Sequence, residues 1–277
     1  MNKKKKAYED NFRHRCSFKS FVTILSKKAG DMRYFYTVLF CTVILFAKTI
    51  DAEYKVTFGL FGTVGKVYAH YESNATNYKI LIKAKAVGMA KLFSHKRVEE
   101  YGSEGTIVQN GLLRPKIFYR IRQTTKRRDY KKYTFDYKNK KIVLYTDKNK
   151  YGKFHVKHKE LLPYFTDNDV LTLYFNLQKY LKPNQLHYKF QAVGGSEQEG
   201  KIDVDILQGK SKRKIEKLLK VDGLYLAVKL YQKIFASKEG LLYIVLNKDG
   251  IAKRGLLKDV IFFGDVKGIL VKKEVRE

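Results

Sequence analysis

Apolar and polar side chains alternate along most of the chain, and the pattern is clear from Glu53 onward. In EYKVTFGLFG, residues Tyr54, Val56, Phe58 and Leu60 share one face, and the run ends at the turn-forming Gly62. VGKVYAHYE resumes with Val64, Val67 and Tyr71, and NYKILIKAKAV continues through Ile80 and Ile82. Comparable runs are LRPKIFYRIRQ, DYKKYTFDY, KIVLYTD, LHYKFQAV, KIDVDILQ, YLAVKLYQKI, LLYIVLN and VKGILVKK. Tyr, Phe, Val and Ile dominate them, and turn signals such as Asn139–Lys140, Gly194–Gly195 and Asp249–Gly250 separate them. The pattern predicts roughly a dozen short strands in a mainly β fold, as a curved antiparallel sheet, a half-barrel or a barrel-like sandwich.

Two segments depart from this alternation. DNDVLTLYFNLQKYLKP predicts a helix over Asn168–Lys182, because Val170, Leu173, Tyr174, Leu177 and Leu181 recur at helical spacing. Asp167 or Asn168 is placed to cap its start, and Pro183 ends it. A weaker helical turn is expected over Met89 to His95. The main helix needs a partner for its apolar stripe, and the concave face of the sheet is the expected one. There Val170, Leu173, Tyr174, Leu177 and Leu181 either fill the core or line a ligand groove.

A different pattern precedes the β-rich region. Met32 to Ala52, MRYFYTVLFCTVILFAKTIDA, has the anatomy of a secretory signal peptide: Arg33, an apolar stretch from Tyr34 to Ala47, then the small residue Ala52. Cleavage is expected between Ala52 and Glu53. A spanning helix needs about 20 apolar residues, and Lys48 and Asp51 interrupt the run before that. Residues 1–31, with the run Lys3 to Lys6, read as an extension ahead of a start at Met32. In the alternative they form a short cytoplasmic tail before an uncleaved inner-membrane anchor over residues 34–52. Residues 53–277 then form one β-rich domain, expected in the periplasm or held outside the cytoplasm by the anchor. Cys16 and Cys41 both precede Ala52, so that domain has no disulfide framework. Phe40 before Cys41 is not the small residue that a lipid-attachment box requires.

Charge narrows the partners. The chain carries 57 Lys and Arg against 27 Asp and Glu, a formal net charge of +30. Basic residues are densest from Arg114 to Lys159, where Asp129, Asp136 and Asp147 are the acids. Arg120, Arg122, Lys126, Arg127, Arg128, Lys131 and Lys132 form a candidate basic face. Such charge ordinarily raises nucleic acid as a partner. Export removes that reading and leaves anionic lipid headgroups, glycolipid phosphates and cell-wall carboxylates. An anionic envelope lipid or glycolipid is the expected partner; the plain alternative is lysine that only solvates strand faces.

Catalytic signals are sparse. His155 and His158 lie three apart, which on a strand puts them on opposite faces and argues against a metal pair. Asp203 and Asp205 share a strand face opposite Ile202, Val204 and Ile206, which reads as a polar outer face rather than acid–base chemistry. Asp167 and Asp169 read as helix-start residues. GTVGKV fails as a phosphate loop, because Leu60 and Val67 stand where Gly and Ser or Thr are needed. No G-x-S-x-G occurs, and no catalytic residue, metal or cofactor is expected. One modification motif stands out: Asn74-Ala75-Thr76 is an N-x-[ST] sequon in an expected hairpin loop, with Glu72 two residues before the asparagine as in bacterial acceptor sequences.

The ordered marks Gly59, Gly62 and Gly65 in the first hairpin, a Ser103–Gly105 turn, Arg114–Pro115 and the Asp169-led helix give the chain a family likeness. From about Glu53 to Val271 it resembles the bacterial family known as domain of unknown function 3108. The resemblance implies an exported envelope protein and brings no activity with it. The expected function is therefore a non-enzymatic envelope protein that holds a lipid or glycolipid in an apolar groove. The alternative is a structural or assembly factor with a packed core and a basic interaction face.

Overall fold

The computed structural model describes residues 47–195, 199–231, 240–260 and 264–277. The expectations for residues 1–46, including most of the apolar stretch from Tyr34, lie outside the described residues. No helix among the described residues is long and apolar enough to cross a membrane.

Alternation becomes a meander. The strands β1 (Lys48–Phe58), β2 (Thr63–Ser73), β3 (Asn77–Ala86), β4 (Val98–Ile107), β5 (Leu113–Gln123), β6 (Arg127–Asp136), β7 (Lys141–Lys150) and β8 (Phe154–Leu161) pair antiparallel in sequence order. The short helix α1 (Gly88–Phe93) bridges β3 and β4 and overlaps Met89–His95, where a helical turn was expected. The main helix α2 (Val170–Tyr180) crosses back. A second meander then runs through β9 (His187–Gln191), β10 (Lys201–Ile206), the helix α3 (Gly209–Leu219), β11 (Leu224–Leu230), β12 (Leu241–Leu246), β13 (Ala252–Val260) and β14 (Gly264–Arg276). Pairing of β14 with β1 joins the halves into one fourteen-stranded antiparallel sheet. Its edges, β8 and β9, do not pair with each other, so the sheet stays open.

The sheet curls around α2. Asn176 exchanges hydrogen bonds with the backbone of Leu113 on β5, at 2.8 and 2.9 Å. Leu173 and Leu177 pack with Tyr188 of β9. Strands β5 and β9 stand ten places apart in the sheet. At about 4.8 Å per place a flat sheet would separate them by about 48 Å, whereas a helix is only about 10 Å across. Strong curvature is the only way one helix meets both.

This wrapping changes which helix residues are core. The expected stripe is present: Leu173 and Leu177 are buried with Ile202, Val204, Leu226 and Leu246, and Val170, Tyr174 and Leu181 pack around them. The opposite side is buried too. Leu171 joins Tyr71, Tyr78, Ile80, Phe118 and Ile142, and Phe175 stacks on Tyr71 with ring centroids 4.7 Å apart. The candidate groove residues thus lie against protein, not against open space.

A third, smaller core lies on the outer face. Tyr225, Val245 and Leu256 alternate with Leu226, Leu246 and Leu257, so they point away from α2. The amphipathic α3 covers them with Ile215 and Leu219. The sequence pattern did not single out α3, because its apolar positions are few among lysines.

The expected cut between Ala52 and Glu53 falls inside β1. Thr49 to Ala52 pair with β2 on one side and with Arg276 to Lys273 of β14 on the other. Ala52 is buried, and Ile50 packs on the core. Asp51 accepts hydrogen bonds from Tyr68 at 2.6 Å and Arg276 at 2.5 Å, and meets His70 Nδ1 at 2.7 Å. Burial disfavours its charge, but these three partners hold its carboxyl below the usual range. Cleavage there would leave the ends of two central strands unpaired and Tyr68, His70 and Arg276 without their acid.

Two outcomes follow from this packing. Sequencing the N-terminus of protein recovered from its native cells should find Lys48 or an earlier residue; a chain starting at Glu53 would contradict the integration of this segment. Leu177→Ala should lower stability by roughly 2–5 kcal/mol in urea denaturation, the cost of a core cavity.

Candidate functional site

The most buried polar residues gather at the start of α2. Asp169 caps the helix: its Oδ1 accepts from the backbone N–H of Leu171 at 2.8 Å and Thr172 at 3.0 Å, and the Thr172 hydroxyl accepts from the Asp169 N–H at 2.8 Å. The other carboxylate oxygen accepts from Ser103 of β4 at 2.6 Å, and Tyr78 of β3 lies 3.1 Å from that hydroxyl. The cap is therefore Asp169 rather than Asp167 or Asn168. Asn168 instead turns its side chain to Asn176 and Tyr180. Ser103 and Asp169 are sealed from solvent, with no histidine between them, so the pair pins helix to sheet and offers no nucleophile to a substrate. Burial pushes the Asp169 carboxyl up to about 6.

The other candidate acids and histidines pair locally. On the outer face His155 meets Asp147 at 2.9 Å and His187 meets Asp205 at 2.7 Å, while His158 lies 3.5 Å from Glu160. Asp203 and Asp205 do share a face, and Asp203 accepts from Tyr231. No group of three metal-ligating side chains occurs among the described residues.

Strand alternation splits the candidate basic face in two. Arg120, Arg122 and Lys131 lie on the side of Phe118 and Tyr133, facing inward. Arg127 is on that side with Asp129, 3.4 Å away. Arg122 and Arg97 both pair with the buried Glu99, which also accepts from Tyr101 at 2.5 Å. Burial would raise the Glu99 carboxyl, but the Tyr101 hydroxyl and the two guanidinium groups hold it low. Lys126 occupies the β5–β6 turn. Arg128 and Lys132 point outward, so the seven residues do not form one surface.

What the outer face forms instead is a tyrosine and lysine strip. Register places Gly102, Tyr119, Lys132, Tyr145 and Lys159 side by side across β4 to β8. Tyr130 sits between Tyr119 and Tyr145, with centroids 6.3 Å from each, and the Arg128 guanidinium lies 5.4 Å above its ring. Tyr130, Lys132, Thr134, Val143, Tyr145 and Lys159 line an open groove of about 510 Å³. Flat half-exposed rings beside ammonium groups suit a ligand with both a ring or apolar face and negative charge. The signal was available in sequence as Tyr119, Tyr130 and Tyr145, but only the register aligns them.

The model of a protein family described as protein of unknown function (DUF3108) matches residues 53–271. The chain belongs to the DUF3108 family. No curated protein and no solved structure matches it.

The DUF3108 match contains α2, its buried cap and the outer strip, and stops short of the paired ends Lys48–Ala52 and Lys272–Glu277. Its marks take structural meaning here. Ser103–Gly105 is not a turn but part of β4, and a Cβ on Gly105 would meet the Arg114 carbonyl oxygen at 2.1 Å. Strand β4 bulges against β5 at this point, which admits Pro115. Gly102 leaves room for the Tyr119 ring, whose nearest atom would lie 2.2 Å from an added Cβ. The sequon residue Asn74 is exposed in the β2–β3 turn, and its Oδ1 accepts from the N–H groups of Thr76 and Asn77 at 2.9 and 2.8 Å. That turn role explains the asparagine without modification.

The buried cap makes a pH prediction. The folded Asp169 holds its proton up to about 6, above the 3.8 of a free carboxyl. Between those values the folded state binds more protons than the unfolded one, so this group's contribution falls as pH rises through the window. Asp169→Asn keeps the cap acceptor and removes the charge. The variant should show a flatter fall in melting temperature from pH 4 to 6 than the wild type, read by scanning calorimetry. Asp169→Ala should lose roughly 1–3 kcal/mol below pH 4, where the wild-type carboxyl is protonated, because two buried N–H groups lose their acceptor, and the difference should shrink as pH rises toward 6.

Proposed function

We propose that this DUF3108 member is a non-enzymatic envelope protein that associates with anionic, sugar- or lipid-bearing surfaces through the outer strip of β5 to β8. One observation carries the reading: Tyr119, Lys132, Tyr145 and Lys159 stand in a single lateral row beside Tyr130 and Arg128 on a face that no helix among the described residues covers. An antiparallel sheet usually gives water a plain polar face, whereas this one presents rings and cations together. The rings favour contact with the flat faces of headgroup sugars, and the ammonium groups favour their phosphates or carboxylates. The lipid-groove reading loses its support, because Leu173 and Leu177 are packed into the core. A packed interior with an exposed basic face fits an assembly or scaffolding role.

The test is sedimentation with vesicles of phosphatidylglycerol and phosphatidylcholine. Binding should weaken steeply between low and physiological salt, where exposed charges are screened beyond about 8–10 Å. Each surface cation contributes about 1 kcal/mol near an anionic membrane, so Lys132→Ala with Lys159→Ala should weaken binding about 30-fold. Salt-independent binding, or full binding by that double variant, would overturn the assignment.

A further inference from the structure

We infer that the groove between α3 and β13 is a second anion site, built for a group carrying clustered phosphates. It is lined by Lys210, Arg213, Lys214, Lys217 and Leu218 of α3 and Lys258 of β13, around a volume of about 560 Å³. That size is within the usual range for small-molecule sites, about 300–1,000 Å³. Asp265 is the one carboxylate that lines it among the described residues. Glu216, the only acid of α3, lies toward Tyr225 on the sheet side instead.

The helix is held rigidly, so the cations cannot disperse. Ile215 and Leu219 are buried against Tyr225, Val245 and Leu256, and the last turn is tied down by Lys267, which donates to the Leu218 carbonyl at 3.3 Å, and by Arg254 at the Leu219 carbonyl. Lys212 turns away over the Tyr225 ring. Lys210 with Lys214, and Arg213 with Lys217, stand four residues apart on the remaining face, where like charges repel. None of the five lining cations enters an ion pair among the described residues. A fixed cluster of unpaired positive charge costs stability unless an anion occupies it, and Arg with Lys is the donor set that phosphate oxygens prefer. The closely spaced charges favour a ligand with two or more phosphates over a single one.

This site is separate from the outer strip of β5 to β8, and the experiment keeps them apart. Three proteins are compared: wild type, Lys214→Gln with Lys217→Gln, and the strip variant Lys132→Ala with Lys159→Ala. Calorimetric titration with inorganic tripolyphosphate at physiological salt should show saturable binding to wild type and to the strip variant. The Lys214/Lys217 variant, whose core residues are untouched, should bind at least tenfold more weakly, with a melting temperature in ligand-free buffer no lower than that of the wild type. A parallel arm uses vesicles containing phosphatidic acid. If vesicles bind through Lys214 and Lys217 while tripolyphosphate does not, the phosphate is lipid-borne; if both bind, the groove reads phosphate from either source. Equal affinity of all three proteins for both probes, binding of sulfate as tight as tripolyphosphate, or no saturable binding of either probe to wild type would each overturn the site. Loss of vesicle binding in the strip variant alone, with tripolyphosphate bound equally by all three proteins or by none, would leave the proposed function standing and this inference refuted.

Discussion

Burial of one short helix by two sheet halves is the constraint on which the rest of this structure depends. Each meander alone would leave a wide apolar face in water. Together they close over α2, with Leu171 and Phe175 serving one half and Leu173 and Leu177 the other. The helix has eleven residues, too few to be stable alone. Its ends therefore carry polar anchors: Asp169 to Ser103 at the start, and Asn176 to the Leu113 backbone further along. These bonds fix the helix axially, while apolar contacts fix it laterally.

The same arrangement explains where polar residues are tolerated. On the inner face of β4, Glu99, Ser103 and Gly105 replace the apolar residues expected there. Ser103 meets the helix cap, Glu99 meets two guanidinium groups and a tyrosine, and Gly105 makes room for β5. No buried side-chain N or O atom among the described residues lacks a hydrogen-bond partner. Burial raises the carboxyls of both Asp169, held by neutral donors, and Glu99, held by cations, yet their net shifts run in opposite directions because only the second has a compensating charge.

Basic charge is dispersed by the fold rather than gathered by it. Residues adjacent in sequence, such as Arg127 and Arg128, go to opposite faces, whereas Lys132 and Lys159, far apart in sequence, come into one lateral row on either side of Tyr145. The outer strip and the α3 groove lie on different parts of the sheet, and each is backed by a packed core. Rigid backing matters for weak, charge-driven contacts, since little ordering entropy remains to oppose them.

Much of the fold was legible along the chain. Period-two alternation marked most strands, including β1, β2, β3, β5 and β7, because each has one face in the core and one in water. Helical spacing marked α2, and the weak turn at α1 was visible too. Strands β4 and β13 escaped notice because glycines and charges interrupt their alternation, β8 escaped too and is exposed along its whole length, and α3 escaped because lysines outnumber its core residues. Local pattern therefore determined the mainly β class, the family likeness and the identity of the central helix, since these rest on which side chains must avoid water. Tertiary structure decided the rest. Register, and not sequence distance, aligned Tyr119, Lys132, Tyr145 and Lys159; curvature buried α2 on two sides; and pairing with β2 and β14 drew Lys48–Ala52 into the sheet, because a strand's partners are chosen across space and leave no mark in its own alternation.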